Sequence, residues 1–186
     1  MREVIREFAF DHLTPEEAEL VQRRHAGWCV IAAAEFLDEA IALFVVAADR
    51  NFTARSTAYR GYAALLRGDL PGAESLMATS LVTFRDLDED WGVAEGLEGM
   101  SAVCAVAGQG DRAARLAGAA EQLRSKLATR GLPSDRAMVA RCLGGPREQI
   151  GEPIWAAAQE AGRAMSLAAA IDEALGQRLS TLVDAG

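Results

Sequence analysis

The chain has 186 residues, 51% of them hydrophobic and 6% aromatic, and it carries a formal net charge of −8 with a sequence pI near 4.8. This length predicts one domain, with a core of mostly small side chains. Because nucleic acids and anionic membranes attract positive charge, the acidic balance argues against direct binding to either.

Cysteine usage and the N-terminal residues indicate a cytoplasmic protein. Cys29, Cys104 and Cys142 are odd in number and widely spaced, which is typical of reduced thiols and not of a disulfide framework. The first residues are charged and lack the apolar region of a signal peptide. The most apolar stretch, 40–48, is too short to span a bilayer.

The first region, residues 1–52, is predicted to contain two helices. A short one covers 2–13, where apolar residues recur at helical spacing. A long one begins at Thr14 and Pro15, because Thr14 can cap a helix and Pro15 suits its first turn. This second helix is expected to continue to about residue 48.

The central region, residues 53–130, is predicted to form two helical hairpins. When the chain is shifted along itself by forty residues, 68–73 aligns with 108–113, and each segment opens an Ala- and Leu-rich helix. The expected helices cover 53–67, 71–84, 91–107 and 111–130. A period of this length is typical of stacked helical hairpins, and such stacks usually bind other molecules.

The last region, residues 131–186, is predicted to hold capping helices and a polar tail. The expected helices cover 133–143, 152–164 and 167–176, with a break at Gly144-Gly145-Pro146 after the first of them. No strand pattern is visible anywhere in the sequence. The predicted fold class is therefore all-α, with antiparallel helical hairpins stacked as a short right-handed superhelix between capping helices.

The hairpins resemble the tetratricopeptide repeat, which has small residues where its helices cross. The small residues at those positions are Gly61, Gly68 and Ala73 in the first hairpin, and Cys104, Gly108, Ala113 and Ala120 in the second. Two features depart from the motif: Met77 and Ala117 replace its late aromatic residue, and the period is forty residues instead of about thirty-four. The resemblance implies a superhelix whose first helices line an inner binding face.

Longer segments are similar to the C-terminal sensor arm of large LuxR-like and antibiotic-regulator-like bacterial transcriptional regulators, which carry a nucleotide-switched ATPase. The similar segments are 3–9, 23–26, 84–87, 91–97, 113–124 and 155–167. The Gly-Lys-Ser/Thr phosphate loop of the ATPase is absent from the sequence. The resemblance therefore implies a sensor arm without its own switch, whose DNA-binding role would come from another polypeptide.

Two patterns are compatible with a metal ion, but the surrounding residues favour ordinary structural roles. Asp86, Asp88 and Asp90 alternate like the start of a calcium loop, yet Trp91 stands where that loop needs glycine. We interpret them as a solvated turn. His25 and Cys29 could share a metal, but no second His or Cys pair completes the site. We predict no metal and no cofactor.

Anion binding and catalysis are likewise disfavoured. The turn Gly108-Gln109-Gly110 could offer backbone amides to an anion, but it follows a helix and has no lysine partner. The sequence contains two histidines, both near the N-terminus, and no Gly-x-Ser-x-Gly elbow. We therefore predict that the chain is not an enzyme and has no catalytic residues.

The favoured hypothesis is a regulatory protein-protein interaction module. The inward positions of the tetratricopeptide motif are Arg55, Ala58, Tyr62, Glu95, Glu98 and Ala102. Of these, Arg55, Tyr62, Glu95 and Glu98 are the candidate binding groove for a protein or peptide, and a separate regulator ATPase is one such partner.

The alternative hypothesis is a stand-alone protein that binds a small apolar effector. Four aromatic residues, Trp28, Phe36, Phe44 and Tyr59, would line a pocket between the long N-terminal helix and the hairpins. A third hypothesis is self-association: two hairpins are fewer than a stable stack usually needs. We therefore expect a homodimer slightly more than a monomer.

Overall fold

A computed structural model describes residues 14–129, 131 and 133–176. Within these residues every regular element is an α-helix, and the consecutive helices of residues 15–126 pack as hairpins, which confirms the all-α hairpin prediction. The helices are α1 (Pro15–Val46), α2 (Arg50–Leu66), α3 (Leu70–Asp86), α4 (Asp90–Val106), α5 (Gly110–Lys126), α6 (Pro133–Ile150), α7 (Glu152–Arg163) and α8 (Leu167–Gly176). The predicted helix over 2–13 and the predicted tail over 177–186 lie outside the described residues.

The start of α1 is fixed by a reciprocal pair of hydrogen bonds. The backbone amide of Glu17 donates to the Thr14 hydroxyl, and the backbone amide of Thr14 donates to the Glu17 carboxylate. Pro15 occupies the first helical turn, where its missing N–H is not needed. The start predicted at Thr14 and Pro15 is confirmed.

Helices α2 to α5 begin at residues 50, 70, 90 and 110, so the structural unit is one helix every twenty residues. The forty-residue sequence period corresponds to two such units. One residue with a left-handed backbone conformation recurs every twenty residues, at the ends of these helices. The residues with positive φ are Ala48 (55°), Gly68 (79°), Asp88 (52°), Gly108 (76°) and Ala128 (51°).

The core lies between α2, α3, α4 and α5. Its largest fully buried side chains include Met77, Leu81 and Phe84 from α3 and Leu97 from α4. The buried Ser80 hydroxyl joins α3 to α2 by donating to the carbonyl of Ala54 at 2.8 Å, and Ser101 joins α4 to α5 in the same way. The hairpin pair is thus held by apolar burial with a few fully paired hydroxyls.

Helix α7 caps the stack by packing closely on α5. Gly118 on α5 and Gly162 on α7 make this contact possible. A Cβ added at Gly118 would overlap the carbonyl oxygen of Gln159, and one added at Gly162 would overlap that of Arg115. The two backbones therefore touch where the helices cross.

Helix α6 differs from its prediction. The break expected at Gly144-Gly145-Pro146 is wrong, since α6 runs through these residues from Pro133 to Ile150. A glycine costs a helix about 1 kcal/mol and a proline about 3 kcal/mol. Burial of Cys142, Leu143 and Ile150 against the core holds the helix together across this local weakness. The chain turns at Gly151, where φ is 83°.

No helix in the described part of the chain combines the length and apolar character that a membrane span requires.

Candidate functional site

Charged and aromatic side chains from four helices meet on one side of the core. We call this group the charged cluster. Its members are Arg55, Tyr59 and Tyr62 of α2, Trp91, Glu95 and Glu98 of α4, Arg124 of α5, and Asp135 of α6.

The repeat register places the α2 and α4 members together. Arg55 and Glu95 are forty residues apart, so they occupy the same place in two adjacent and equivalent helices. Within α4, Trp91, Glu95 and Glu98 follow the spacing that aligns side chains on one helical face. Residues 55, 59 and 62 do the same in α2. The cluster is therefore a direct product of the repeat.

Glu95 is the most unusual member of the cluster. Its side chain is 1% exposed, and neither carboxylate oxygen makes a hydrogen bond. The Arg55 Nε lies 3.8 Å from Glu95 Oε2, too far for a hydrogen bond, and also has no hydrogen-bond partner. Burial raises the pKa of Glu95 to about 7, and Asp135 adds to this rise while Arg55 opposes it. Close to neutral pH, this carboxyl group therefore changes its charge.

Arg124 and Glu98 form the well-paired part of the cluster. Arg124 donates two hydrogen bonds to the Glu98 carboxylate, from Nη2 at 2.8 Å and from Nε at 3.1 Å. Its third nitrogen, Nη1, is buried without a partner. The guanidiniums of Arg124 and Arg55 lie 4.9 Å and 4.2 Å from the ring centre of Trp91, within the range of cation–π attraction.

The two tyrosines supply hydroxyl groups that stay protonated. Tyr59 donates to Asp135 Oδ2 at 3.2 Å and so ties α2 to the first turn of α6. Burial, followed by the charges of Glu95 and Asp135, raises the pKa of Tyr59 to about 12. The pKa of the buried Tyr62 is raised well above its ordinary value, mainly by burial and then by Glu98 and Glu95. Both hydroxyls are hydrogen-bond donors at neutral pH.

The structure brings the four predicted groove residues together in the charged cluster. Arg55, Tyr62, Glu95 and Glu98 all belong to it, whereas Ala58 and Ala102 are fully buried in helix contacts. The expected inner face is not an open groove, because the first turns of α6 lie against it.

Sequence reasoning missed three members of the charged cluster. Trp91 lies one helical turn before Glu95 and could have been found from the same spacing. Arg124 comes from α5 and Asp135 comes from α6. Their positions depend on tertiary packing, which no local pattern encodes.

The structure does not bring the four predicted pocket residues together around one cavity. Phe36 is 71% exposed on α1. Phe44 stacks on Phe52 with ring centres 5.2 Å apart. Tyr59 faces α6 within the charged cluster. Trp28 lies on α1, but its side chain is outside the described residues.

A different cavity lies between α3 and α8. Its volume is about 490 Å³ and its lining is mostly apolar. The apolar lining comes chiefly from Ala78, Val82, Met100, Ala174 and Leu175. This volume is within the range of small-molecule sites.

Helix α1 carries several large apolar residues that are exposed. They are Ile31, Phe36, Leu43, Val45 and Val46. The expected homodimer stays a prediction, and nothing in the structure shows what covers these residues.

In the described residues, no three or more His, Cys, Asp or Glu side chains are grouped so that they could hold a metal ion. The charged cluster can instead offer hydrogen-bond acceptors from Glu95 and donors from Arg55 and Arg124. These groups suit recognition of a polar ligand that displaces or joins α6.

No protein-family model matches the chain, and neither a curated protein nor a solved structure gives a significant match. The similarity to a regulator sensor arm therefore stays a prediction.

Proposed function

We propose that the chain is a non-catalytic helical-repeat module that binds a segment of a partner protein at the charged cluster. The observation that carries this proposal is Glu95, a buried carboxylate with no hydrogen bond to either oxygen. Unpaired buried polar groups lower the stability of a fold by about 1–3 kcal/mol, and more when charged. A ligand that pairs with Glu95 would recover this energy on binding.

The structural needs of the repeat do not account for an acid at this position. The small residues that pack these helices together, such as Ala58 and Ala102, perform that role without any polar atom. Natural cores pair their buried polar groups, and unpaired ones are concentrated at functional sites. The charged cluster therefore supports binding better than it supports stability.

The resemblance to a sensor arm suggests the biological setting of this binding. A module of this kind would couple its partner, such as a separate regulator ATPase, to a transcriptional response. Peptide binding at the charged cluster can be tested independently of this transcriptional role.

The test is a selection of short random peptides on the immobilised full chain, followed by affinity measurement with purified peptides. We expect selected peptides to bind Arg55→Gln and Glu95→Gln chains about tenfold more weakly than the unmodified chain. Glu39→Gln is the matched control, since Glu39 is an exposed acid on α1, and it should leave the affinity unchanged. Circular dichroism should show equal helicity in all chains.

Two results would contradict the proposal. The first is that no peptide is selected. The second is that all selected peptides are insensitive to both cluster variants, which would place binding elsewhere on the molecule.

A second candidate function, binding of a small apolar effector, is favoured by the cavity between α3 and α8. We expect dodecanol to raise the midpoint of thermal unfolding if this cavity accepts an apolar ligand. Val82→Trp would fill the cavity and remove the effect. An equal shift in both chains would mean that the alcohol acts elsewhere.

A further inference from the structure

The weakest pairing in the charged cluster is at Glu95. Among the described residues, the cluster contains three carboxylates and two guanidiniums, and Asp135 makes a further interaction besides the hydrogen bond from Tyr59. Arg124 already gives two hydrogen bonds to Glu98, whereas Arg55 stays 3.8 Å from Glu95 without hydrogen bonding to it. What Glu95 lacks is therefore a hydrogen bond from a positively charged donor.

We propose that the partner segment carries a lysine or arginine side chain that binds Glu95, in the place that the first turns of α6 now occupy. This inference rests on the proposed function and specifies its ligand. A lysine ammonium or arginine guanidinium supplies both the charge and the hydrogen bonds that the Glu95 oxygens lack.

Helix α6 acts as an internal competitor that fits the charged cluster imperfectly. It brings Asp135 to the cluster, where Tyr59 donates to it. The charge of Asp135 makes ionisation of Glu95 harder. Exchange of α6 for a basic segment replaces a repulsion at Glu95 with an attraction, so binding has a driving force that the closed chain does not.

The structure contains a weak point at which the first half of α6 can separate from the second. Gly144 and Gly145 are exposed, and a Cβ added at either would meet no atom within 4 Å. Pro146 follows inside the helix and removes one backbone hydrogen bond. Ile150 at the far end packs against the core. Residues 133–143 can leave the cluster while the end of α6 stays in place only if the partner segment replaces the contacts that Met138, Val139, Cys142 and Leu143 make with the core.

The same site makes binding depend on pH. The charged and titratable groups that face Glu95 are Arg55, Tyr59 and Tyr62 on α2, Glu98 on its own helix, Arg124 on α5 and Asp135 on α6. Because the pKa of Glu95 is about 7, the carboxyl group is mostly protonated at pH 6 and mostly ionised at pH 8. A cation binds the ionised form, so affinity should be about tenfold weaker at pH 6 than at pH 8.

The experiment is a double-substitution cycle on a peptide selected by the full chain. Each lysine or arginine of the peptide is replaced in turn by norleucine, which keeps an unbranched apolar chain and removes the charged group. We expect one such replacement to weaken binding to the unmodified chain about tenfold and binding to Glu95→Gln less than about twofold. The pH dependence should disappear in Glu95→Gln at the same time.

The outcomes separate this inference from the proposed function. Peptides that lose affinity on Arg55→Gln but contain no lysine or arginine coupled to Glu95 would overturn the inference and leave the binding function in place. Failure to select any peptide would overturn both. Equal loss of affinity from norleucine in the unmodified and Glu95→Gln chains would place the cation at another acid and also overturn the inference.

Discussion

The crossing of α5 with α7 and the charged cluster differ in what lies between the packed helices. At the crossing, Gly118 and Gly162 remove every side-chain atom that would hold the helices apart. In the cluster, side chains of opposite charge fill the space between helices, and several buried polar atoms remain unpaired. Close backbone contact stabilises the crossing. In the cluster, buried polar groups without hydrogen bonds lower the stability but remain available to bind a ligand.

This difference teaches where to look for function in a helical repeat. Small residues recur at the crossings because packing alone requires them. Large charged residues at equivalent places of successive repeats need another reason. Arg55 and Glu95 hold such equivalent places and do not form a hydrogen bond with each other.

The largest expected effect on stability comes from a substitution at the crossing of α5 with α7. Gly162→Ala places a methyl group against the carbonyl of Arg115, so the helices must move apart. We expect a loss of about 3 kcal/mol or more in the free energy of unfolding, measured by urea denaturation. A chain as stable as the unmodified one would show that α7 does not pack on α5 in this way.

The next largest effect is the pH dependence that Glu95 gives to the free energy of unfolding. The pKa of Glu95 rises from an ordinary value of 4.5 to about 7 on folding, so the folded chain binds more protons than the unfolded chain between these values. The stability contributed by this proton is complete below pH 4.5 and is lost as pH rises through 7. Over that window the loss reaches about 3 kcal/mol.

Glu95→Gln removes this pH dependence because its amide does not titrate. We expect the variant to be about as stable as the unmodified chain at pH 5 and more stable by about 2–3 kcal/mol at pH 8.5. Urea denaturation at both pH values provides the measurement, with Glu39→Gln as the control of equal charge. A variant that is less stable at pH 8.5 would contradict the assignment of Glu95 as a buried acid without hydrogen bonds.

A smaller loss of stability is expected when the hydrogen-bonded pair of Arg124 and Glu98 is broken. Arg124→Met keeps the apolar stem but leaves the Glu98 carboxylate without its two hydrogen bonds. We expect the free energy of unfolding to fall by about 2 kcal/mol. Adding Glu98→Gln should recover part of the loss, because it removes the unpaired charge. Additive losses in the double variant would argue against direct pairing.

The smallest effect tests whether α6 is continuous. Gly144 is helical, exposed and free of close neighbours, so alanine should fit without strain. We expect Gly144→Ala to stabilise the chain by about 0.5–1 kcal/mol and, by stiffening α6, to weaken peptide binding at the cluster. Destabilisation would instead favour the break that the sequence suggested at this point.

Much of the fold could be predicted from the sequence because local signals mark the helices. Thr14 with Pro15, and the aspartates before α2 and α3, cap helices through hydrogen bonds within three residues of themselves. The break predicted at Gly144-Gly145-Pro146 is wrong because long-range packing decides the structure there. The local cost of this segment is outweighed by burial of neighbours such as Ile150, which depends on distant parts of the chain.

The candidate site could be predicted only in part. Arg55 and Glu95 follow from the repeat register, because they hold equivalent positions in adjacent helices. Tyr62 and Glu98 follow from helical spacing, because they lie on the same faces as Arg55 and Glu95. The position of Asp135 depends on α6 packing against α4 and α5, which brings Asp135 to Tyr59 of α2. Helix propensity and hydrophobic spacing do not specify which neighbouring helices α6 packs against.

The most direct test of this account is the titration of the Glu95 side-chain carboxyl by nuclear magnetic resonance, in the free chain and with a bound lysine-containing peptide. We expect a midpoint near pH 7 in the free chain, and a lower midpoint once the peptide cation is bound. A midpoint near 4.5 in the free chain would mean that Glu95 is already solvated or paired, and it would contradict the charged cluster as a binding site.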